Sequence, residues 1–253
     1  MEIIGRGFVA QNFRAIAHRH PDAVVYATGV ASTTATSSAD FDRDAAQLYE
    51  TIRACRAEGR RLVFLSTASA AMYGSCEGAA MEEDGPVYPS LPYGRHKLAM
   101  EVAVARSGVD HLICRMTNLV GRAQRPHQLL PSLVSQVRAG RVRVHSGAHR
   151  DLLDVAHAGA AVDSLLQAGV RDEVVNLASG CSVPVEQVVS CIEDRLGMRA
   201  EREVVAPAGR GSAAPVSIAK LKRLVPGVEE QFGLGPRYFE SVIDRYLALP
   251  AAV

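Results

Sequence analysis

At 253 residues the chain is long enough for one large or two small domains around a substantial core, and its net charge of +1, with no long run of either sign, argues against nucleic acid or an anionic membrane as its main partner. No apolar run is long enough to span a bilayer and the first residues carry no signal-peptide pattern, so a cytoplasmic protein is expected. The five cysteines (Cys55, Cys76, Cys114, Cys181, Cys191) are odd in number and contain no Cys-x-x-Cys, which predicts reduced thiols rather than a disulfide frame or a zinc site.

Residues 2–4 read as a very short strand that runs into Gly5-Arg6-Gly7-Phe8-Val9-Ala10, followed by a helix over 11–19. In a strand–turn–helix setting Gly5 permits the tight turn, Gly7 lets backbone approach a pyrophosphate, and Ala10 allows close helix–strand packing. A plain glycine turn fits these residues equally well. Residues 22–32 read as a second buried strand ending in small residues, among them Thr28 and Gly29. A dinucleotide fold places an acidic residue for the adenosine ribose about 20 residues after its glycines, at the end of the next strand. Here no further strand intervenes, so at least one βαβ unit is missing from the usual first half.

Residues 40–59 read as a helix with Leu48, Ile52 and Cys55 on one stripe. Residues 61–67 are an apolar run of buried parallel-strand type that ends in Ser66-Thr67 and continues through Ser69 to Met72-Tyr73-Gly74. After a proline-rich loop, Tyr93-Gly94-Arg95-His96-Lys97 opens a helix. Tyr93 and Lys97 are one turn apart, so an ammonium beside the phenol lowers its pKa and makes it a general acid/base near neutral pH. A strand at 111–115 leads to Thr117-Asn118. Helices at 130–139, 158–169, 185–196 and 236–247, with strands at 142–145 and 173–177, complete the chain, and 206–214 is a loop. The histidines have no metal-like spacing with carboxylates, so no metal is expected; His18 and His20 flank Arg19 at a helix end, where a cation suits the dipole.

Taken in this order, Gly-x-Gly-x-x-Ala, the strand ending in hydroxyls, Met72-Tyr73-Gly74, Glu83-Asp84-x-Pro86, Pro92-Tyr93-Gly94-x-x-Lys97-x-x-x-Glu101, Arg115-x-x-Asn118 and Arg150-Asp151 resemble the extended short-chain dehydrogenase/reductases of the NAD-dependent epimerase/dehydratase type. The resemblance spans essentially the whole chain. It implies an α/β fold: a Rossmann-like doubly wound parallel sheet lacking part of its first half, with a smaller C-terminal substrate lobe. The dinucleotide-binding domain is expected at 1–121 and the substrate lobe at 122–253, with 142–177 partly returning to the sheet.

By matching position, the resemblance makes Tyr93 the proton donor, Lys97 its partner and a ligand of the nicotinamide ribose, and Ser69 or Thr67 the hydroxyl that assists them. Gly5, Arg6, Gly7, Phe8, Val9, Thr28, Gly29 and Thr117, with Tyr93 and Lys97, fall to the cofactor. Ser69, Asn118 and Arg150 fall to the substrate, Arg150 meeting its diphosphate. NADP is the expected cofactor, with NADPH favoured over NADH because Arg6 could meet the 2′-phosphate. Where dehydratases of the family place Asp-Glu, this chain has Ala70-Ala71, and Ala71 also stands where 3,5-epimerising members need a cysteine. His127 lies one residue out of register with that group's second acid/base.

Hydride transfer survives. The chain resembles the shortened ketoreductases of deoxysugar and antibiotic biosynthesis, which implies reduction at C4 of a dTDP-linked 4-keto-6-deoxyhexose. Alternatives are a nucleotide-sugar 4-epimerase and a non-catalytic module that binds cofactor or sugar nucleotide; an RNA-binding derivative is disfavoured by the balanced charge. A homodimer is expected through the Tyr93 helix and the one before it, with Leu98, Val102 and Ala105 at the contact.

Overall fold

A computed structural model describes residues 1–30, 35–74, 80–206 and 214–250. Cys76, the 31–32 end of the expected second strand and most of the 206–214 loop therefore lie outside the described residues. Five parallel strands form the central sheet in the order β1 (Glu2–Ile4), β2 (Ala23–Tyr26), β3 (Arg61–Thr67), β4 (His111–Met116) and β9 (Glu173–Leu177). Because β1 stands at the edge, nothing among the described residues lies outside it where the missing unit would pair. The second strand stops at Tyr26, earlier than its apolar run suggests, and the Ala27 amide still bonds to the Ile4 carbonyl at 2.9 Å.

Side-chain alternation along the strands divides the interior into two cores. Val24, Tyr26, Leu62, Phe64 and Ile113 face one way, against α2 (Ser38–Glu58) and α4 (Pro92–Ala105). Ala23, Val25, Val63, Leu65, Leu112 and Cys114 face the other, with α1 (Phe8–Phe13) and α6 (Val155–Gln167). Helices on both faces of a parallel sheet define a doubly wound α/β fold.

Local chemistry sets the helix ends. Ser37 caps α2 by accepting from the Asp40 amide, and Gly59 closes it in the left-handed conformation. The expected stripe of Leu48, Ile52 and Cys55 is buried. The first helix begins at Phe8 and, after Phe13, tightens into a 3-10 turn over Arg14–Arg19. His20 at its end is buried, its Nε2 2.7 Å from Asp163 on α6, so it ties two elements together rather than standing as a solvated cation.

A four-residue helix α3 (Ala70–Tyr73) follows β3 and rests on α4. After β4 come β5 (Asn118–Val120), α5 (Leu129–Arg138), β6 (Arg141–His145), β7 (His149–Arg150) and β8 (Leu152–Asp154). Past β9 lie β10 (Val183–Pro184), α7 (Val185–Leu196), β11 (Glu201–Val205), α8 (Ala219–Leu224), α9 (Val228–Phe232) and α10 (Tyr238–Leu247). Of the 142–177 stretch only Glu173–Leu177 pairs with the five-stranded sheet; β6 pairs with β11, and β5 with β8. On α4, Val102 is 54% exposed and Ala105 is exposed, whereas Leu98 packs against the core.

The contact between α3 and α4 depends on Gly94, where a Cβ would stand 1.7 Å from the Ala71 carbonyl oxygen. Gly94→Ala must push the two backbones apart. An overpacking cost of about 3 kcal/mol is expected, and thermal unfolding should show it as a midpoint lowered by roughly 6–12 °C.

Candidate active site

The loops after β1, β2, β3 and β4 open along one edge of the sheet, where doubly wound folds bind ligands. They carry Gly5–Val9, Thr28–Gly29, Thr67–Ser69 and Thr117. Gly5, at φ +139°, leaves no room for a side chain: a Cβ there would stand 2.4 Å from the Ala27 carbonyl oxygen. Gly7 is the reverse, with nothing within 4 Å of where its Cβ would be, so a ligand could approach that backbone. It caps α1 without a side-chain bond, no acidic residue occupies the first turn, and Arg6 beside it is exposed. Phe8 is buried, and Val9 half-buried against the core. An open backbone at a helix start with a cation beside it fits a dinucleotide diphosphate.

Tyr93 and Lys97 stand one turn apart on α4, both buried. Thr67, at the end of β3, donates to the Ser69 hydroxyl at 2.9 Å and is also hydrogen-bonded to the Tyr93 phenol. The hydroxyl in contact with Tyr93 is thus Thr67. Ser69 stands behind it and caps α3 by accepting from the Ala71 amide.

The lowered tyrosine pKa expected from Lys97 is not found. Burial pushes the Tyr93 phenol up to about 12, against the Thr67 hydrogen bond and reinforced by the Asp44 carboxylate. Lys97 Nζ instead donates to the Leu65 carbonyl at 3.5 Å and lies 5.1 Å from the centre of the Phe64 ring. Burial pulls the lysine toward its neutral form, opposed by Asp44 and then Glu101.

Asn118 and Arg150 are the two residues expected at the substrate. Asn118 donates to the Asp151 carbonyl at 3.1 Å. Arg150 lines a cleft of about 300 Å³ with His127, Gln136, Arg143 and His145, among other residues. No carboxylate and neither Tyr93 nor Lys97 lines that cleft among the described residues. Thr117 does not stand open; its hydroxyl donates to Asp151 at 3.0 Å. Asp151 also accepts from the amides of Ser179 and Gly180, and burial pushes its carboxyl up to about 6.

Sequence reasoning missed the group that ties the motifs together. Arg115, inside β4, grips Glu101 of α4 with two nitrogens, at 3.0 Å and 2.7 Å, and Ser66 donates to the same carboxylate. Its Nη1 reaches the Tyr73 hydroxyl and the Glu83 carbonyl, and Tyr73 donates to Asn176 on β9 at 2.7 Å. The signal was present: an arginine and an asparagine in the middle of otherwise buried strands demand partners. His96 and Asp44 form a second buried pair, 2.8 Å apart. Asp44 was visible as a carboxylate four residues before Leu48 on an apolar stripe.

The fold is Rossmann-like, with the glycine turn and the Tyr-x-x-x-Lys pair at the same edge of its parallel sheet. The comparisons take it further. Residues 9–178 match the NAD dependent epimerase/dehydratase family, so the chain belongs to that family. It is 31% identical over 174 residues to a dTDP-6-deoxy-L-talose 4-dehydrogenase (NAD(P)(+)) of Kitasatospora kifunensis, covering 62% of this chain and 54% of that one. It is 30% identical over 151 residues to a dTDP-glucose 4,6-dehydratase of Streptomyces niveus, covering 57% and 45%. The chain thus spans about half the length of the curated relatives it matches. Among solved structures, RMD from Pseudomonas aeruginosa complexed with NADPH superposes with a TM-score of 0.80 at 19% identity, covering 96% of this chain and 97% of that one. The dTDP-glucose 4,6-dehydratase of Bacillus anthracis in complex with NAD gives 0.73 at 21%, covering 96% and 77%. Among the described residues, no helix is long and apolar enough to cross a membrane.

Arg115→Met tests the buried pair. Left without its cation, Glu101 should cost about 3–5 kcal/mol of stability at neutral pH. A buried, unpaired carboxyl has a folded pKa above its unfolded one, so the loss should be largest at neutral pH and shrink as pH falls toward 5. Urea unfolding across that range reads both the size and the sign.

Proposed function

We propose that the protein reduces the C4 keto group of a nucleotide-activated 6-deoxyhexose with NAD(P)H, as part of deoxysugar biosynthesis. The carrying observation is the hydroxyl chain Ser69–Thr67–Tyr93, one helical turn from Lys97 and on the same sheet edge as the Gly5–Gly7 turn. A phenol held up at about 12 is protonated at neutral pH, so Tyr93 enters the reaction as an acid. That suits reduction, in which the carbonyl oxygen must gain a proton.

When bound, the nicotinamide supplies the hydride. Tyr93 donates its proton to the oxygen of the attacked carbonyl. Thr67 turns its hydroxyl proton from Ser69 to the phenolate oxygen and so stabilises the charge left there. Lys97, as an ammonium, favours the phenolate that results and holds the ribose hydroxyls. The burial of both residues keeps water from the transfer. Ala70 and Ala71 supply no carboxylate beside the hydroxyls, which speaks against loss of water from the sugar.

Substrate binding falls to Asn118 and to the cleft of Arg150, Arg143, His145 and His127, whose lining has cations and no carboxylate to oppose a diphosphate. A dTDP-linked sugar is favoured by the Kitasatospora relative, whose name gives a dTDP-linked 6-deoxysugar, position 4 and NAD(P)(+). Gly5–Val9 and the Thr28–Gly29 turn would hold the cofactor, with Arg6 placed for the 2′-phosphate of NADPH. Among the described residues no strand lies outside β1 at the adenosine end, which suits a cofactor that exchanges each cycle.

NADPH oxidation with dTDP-4-keto-6-deoxyglucose tests this reading. Wild type should turn over, and Tyr93→Phe should lose at least about 100-fold in kcat. A wild type that interconverts C4 epimers without consuming NADPH would make it an epimerase. Binding with neither activity would leave a non-catalytic module.

A further inference from the structure

Asp151 is the single residue between β7 and β8, it is buried, and a short ladder lies on either side of it. Before it, Arg150 pairs with Val183 of β10; after it, Leu152 pairs with Asn118 of β5. Its carboxylate gathers three donors from two other loops. Oδ1 accepts from the Thr117 hydroxyl at 3.0 Å and the Ser179 amide at 2.9 Å, and Oδ2 from the Gly180 amide at 3.0 Å. Its backbone carbonyl accepts from the amide and the side-chain nitrogen of Asn118, at 3.2 Å and 3.1 Å.

These contacts join the loop after β4 to the loop after β9 through one residue. Met116 pairs with Thr67 in the β3–β4 register, so Thr117 follows directly at the strand ends that carry the hydroxyls. A carboxylate can only accept, so the one proton of the Thr117 hydroxyl is committed to Oδ1. Thr117 is half-buried, and its oxygen has only lone pairs left for a bound molecule. It suits a ligand hydroxyl or amide N–H, and not a phosphate or carbonyl oxygen. The three donors on the carboxylate are neutral, and a carboxylate this buried depends on them.

We propose that Asp151 is a positioning residue that couples the two halves of the site: its carboxylate fixes Thr117 on the cofactor side, and its backbone fixes Asn118 on the substrate side, next to Arg150. Holding both loops on one residue leaves their relative position little freedom, as transfer between two bound molecules requires. The ligands assigned to each half rest on the ketoreductase reading; the clamp itself does not.

Amide hydrogen exchange reads the clamp without any ligand. Asp151→Asn turns an N–H2 toward donors, so exchange at Ser179 or Gly180 should speed up at least about tenfold, with exchange inside β3 unchanged. Binding reads the coupling, with NADPH and dTDP-glucose, which has no keto group to reduce, titrated separately. Asp151→Asn should weaken both at least about tenfold, whereas Thr117→Val should weaken NADPH alone. Thr117 and Asp151 act as one unit, so the double variant should bind NADPH no more weakly than the more affected single variant.

Wild-type exchange at both Ser179 and Gly180 in Asp151→Asn, weakening of only one ligand by that variant, or additive losses in the double variant overturn the proposal. If Asp151→Asn does not fold, wild type decides: Ser179 and Gly180 amides that exchange at unprotected rates overturn the proposal, and amides slowed at least about tenfold support it. Should wild type bind neither NADPH nor dTDP-glucose, the ketoreductase reading falls, and exchange at Ser179 and Gly180 alone judges the clamp.

Discussion

The site depends on a charge buried in the middle of a strand. Arg115, inside β4, is buried, and a guanidinium there is tolerable only if its nitrogens find acceptors. Glu101, Tyr73 and the Glu83 carbonyl are those acceptors, and each comes from a different part of the chain. Satisfying Arg115 therefore fixes α4 against β4, α3 against the strand ends, and the segment around Glu83 beneath both. Tyr93, two turns before Glu101 on the same helix, has its height above the sheet set by that grip. Gly94 then lets α4 press on α3 until the Thr67 hydroxyl meets the phenol.

This arrangement gives the motifs a physical reading. Tyr73, Glu83 and Glu101 resemble family landmarks in the sequence. They are supports, and one arginine uses all three. The hydroxyls, Tyr93 and Lys97 occupy the layer above, where burial has opposite effects on two neighbours: it keeps the phenol protonated and pulls the ammonium toward neutrality. A reductase needs the first and must counter the second.

Much of the fold was legible because its signals were local. Leu48, Ile52 and Cys55 marked a helix face, Arg61–Thr67 read as a fully buried strand, and the absent strand after α1 was visible as a missing segment of sequence. Residues 201–205, 219–224 and 228–232 were not assigned, since they are short, strongly charged elements fixed by their neighbours: β11 forms by pairing with β6. In the site, Tyr93 and Lys97 could be named from their spacing, and the two hydroxyls from the family resemblance. Which hydroxyl meets the phenol could not, because it depends on how β3 turns into α3. The direction of the Tyr93 pKa shift was misjudged for a related reason. Spacing gives the distance along a helix, but not the burial, and here burial dominates. Asp44 and His96 are far apart in sequence, and only the packing of α2 on α4 makes them a pair.

The account stands on hydride passing from the cofactor to the sugar carbon while Tyr93 supplies the proton. NADPH carrying deuterium at the transferring position of the nicotinamide, incubated in ordinary water with dTDP-4-keto-6-deoxyglucose, tests this most directly. The account predicts one deuterium at C4 of the sugar product by NMR, with an equal amount of NADP⁺ formed. A product changed at C4 but free of deuterium, or deuterium retained in the nicotinamide, would contradict it.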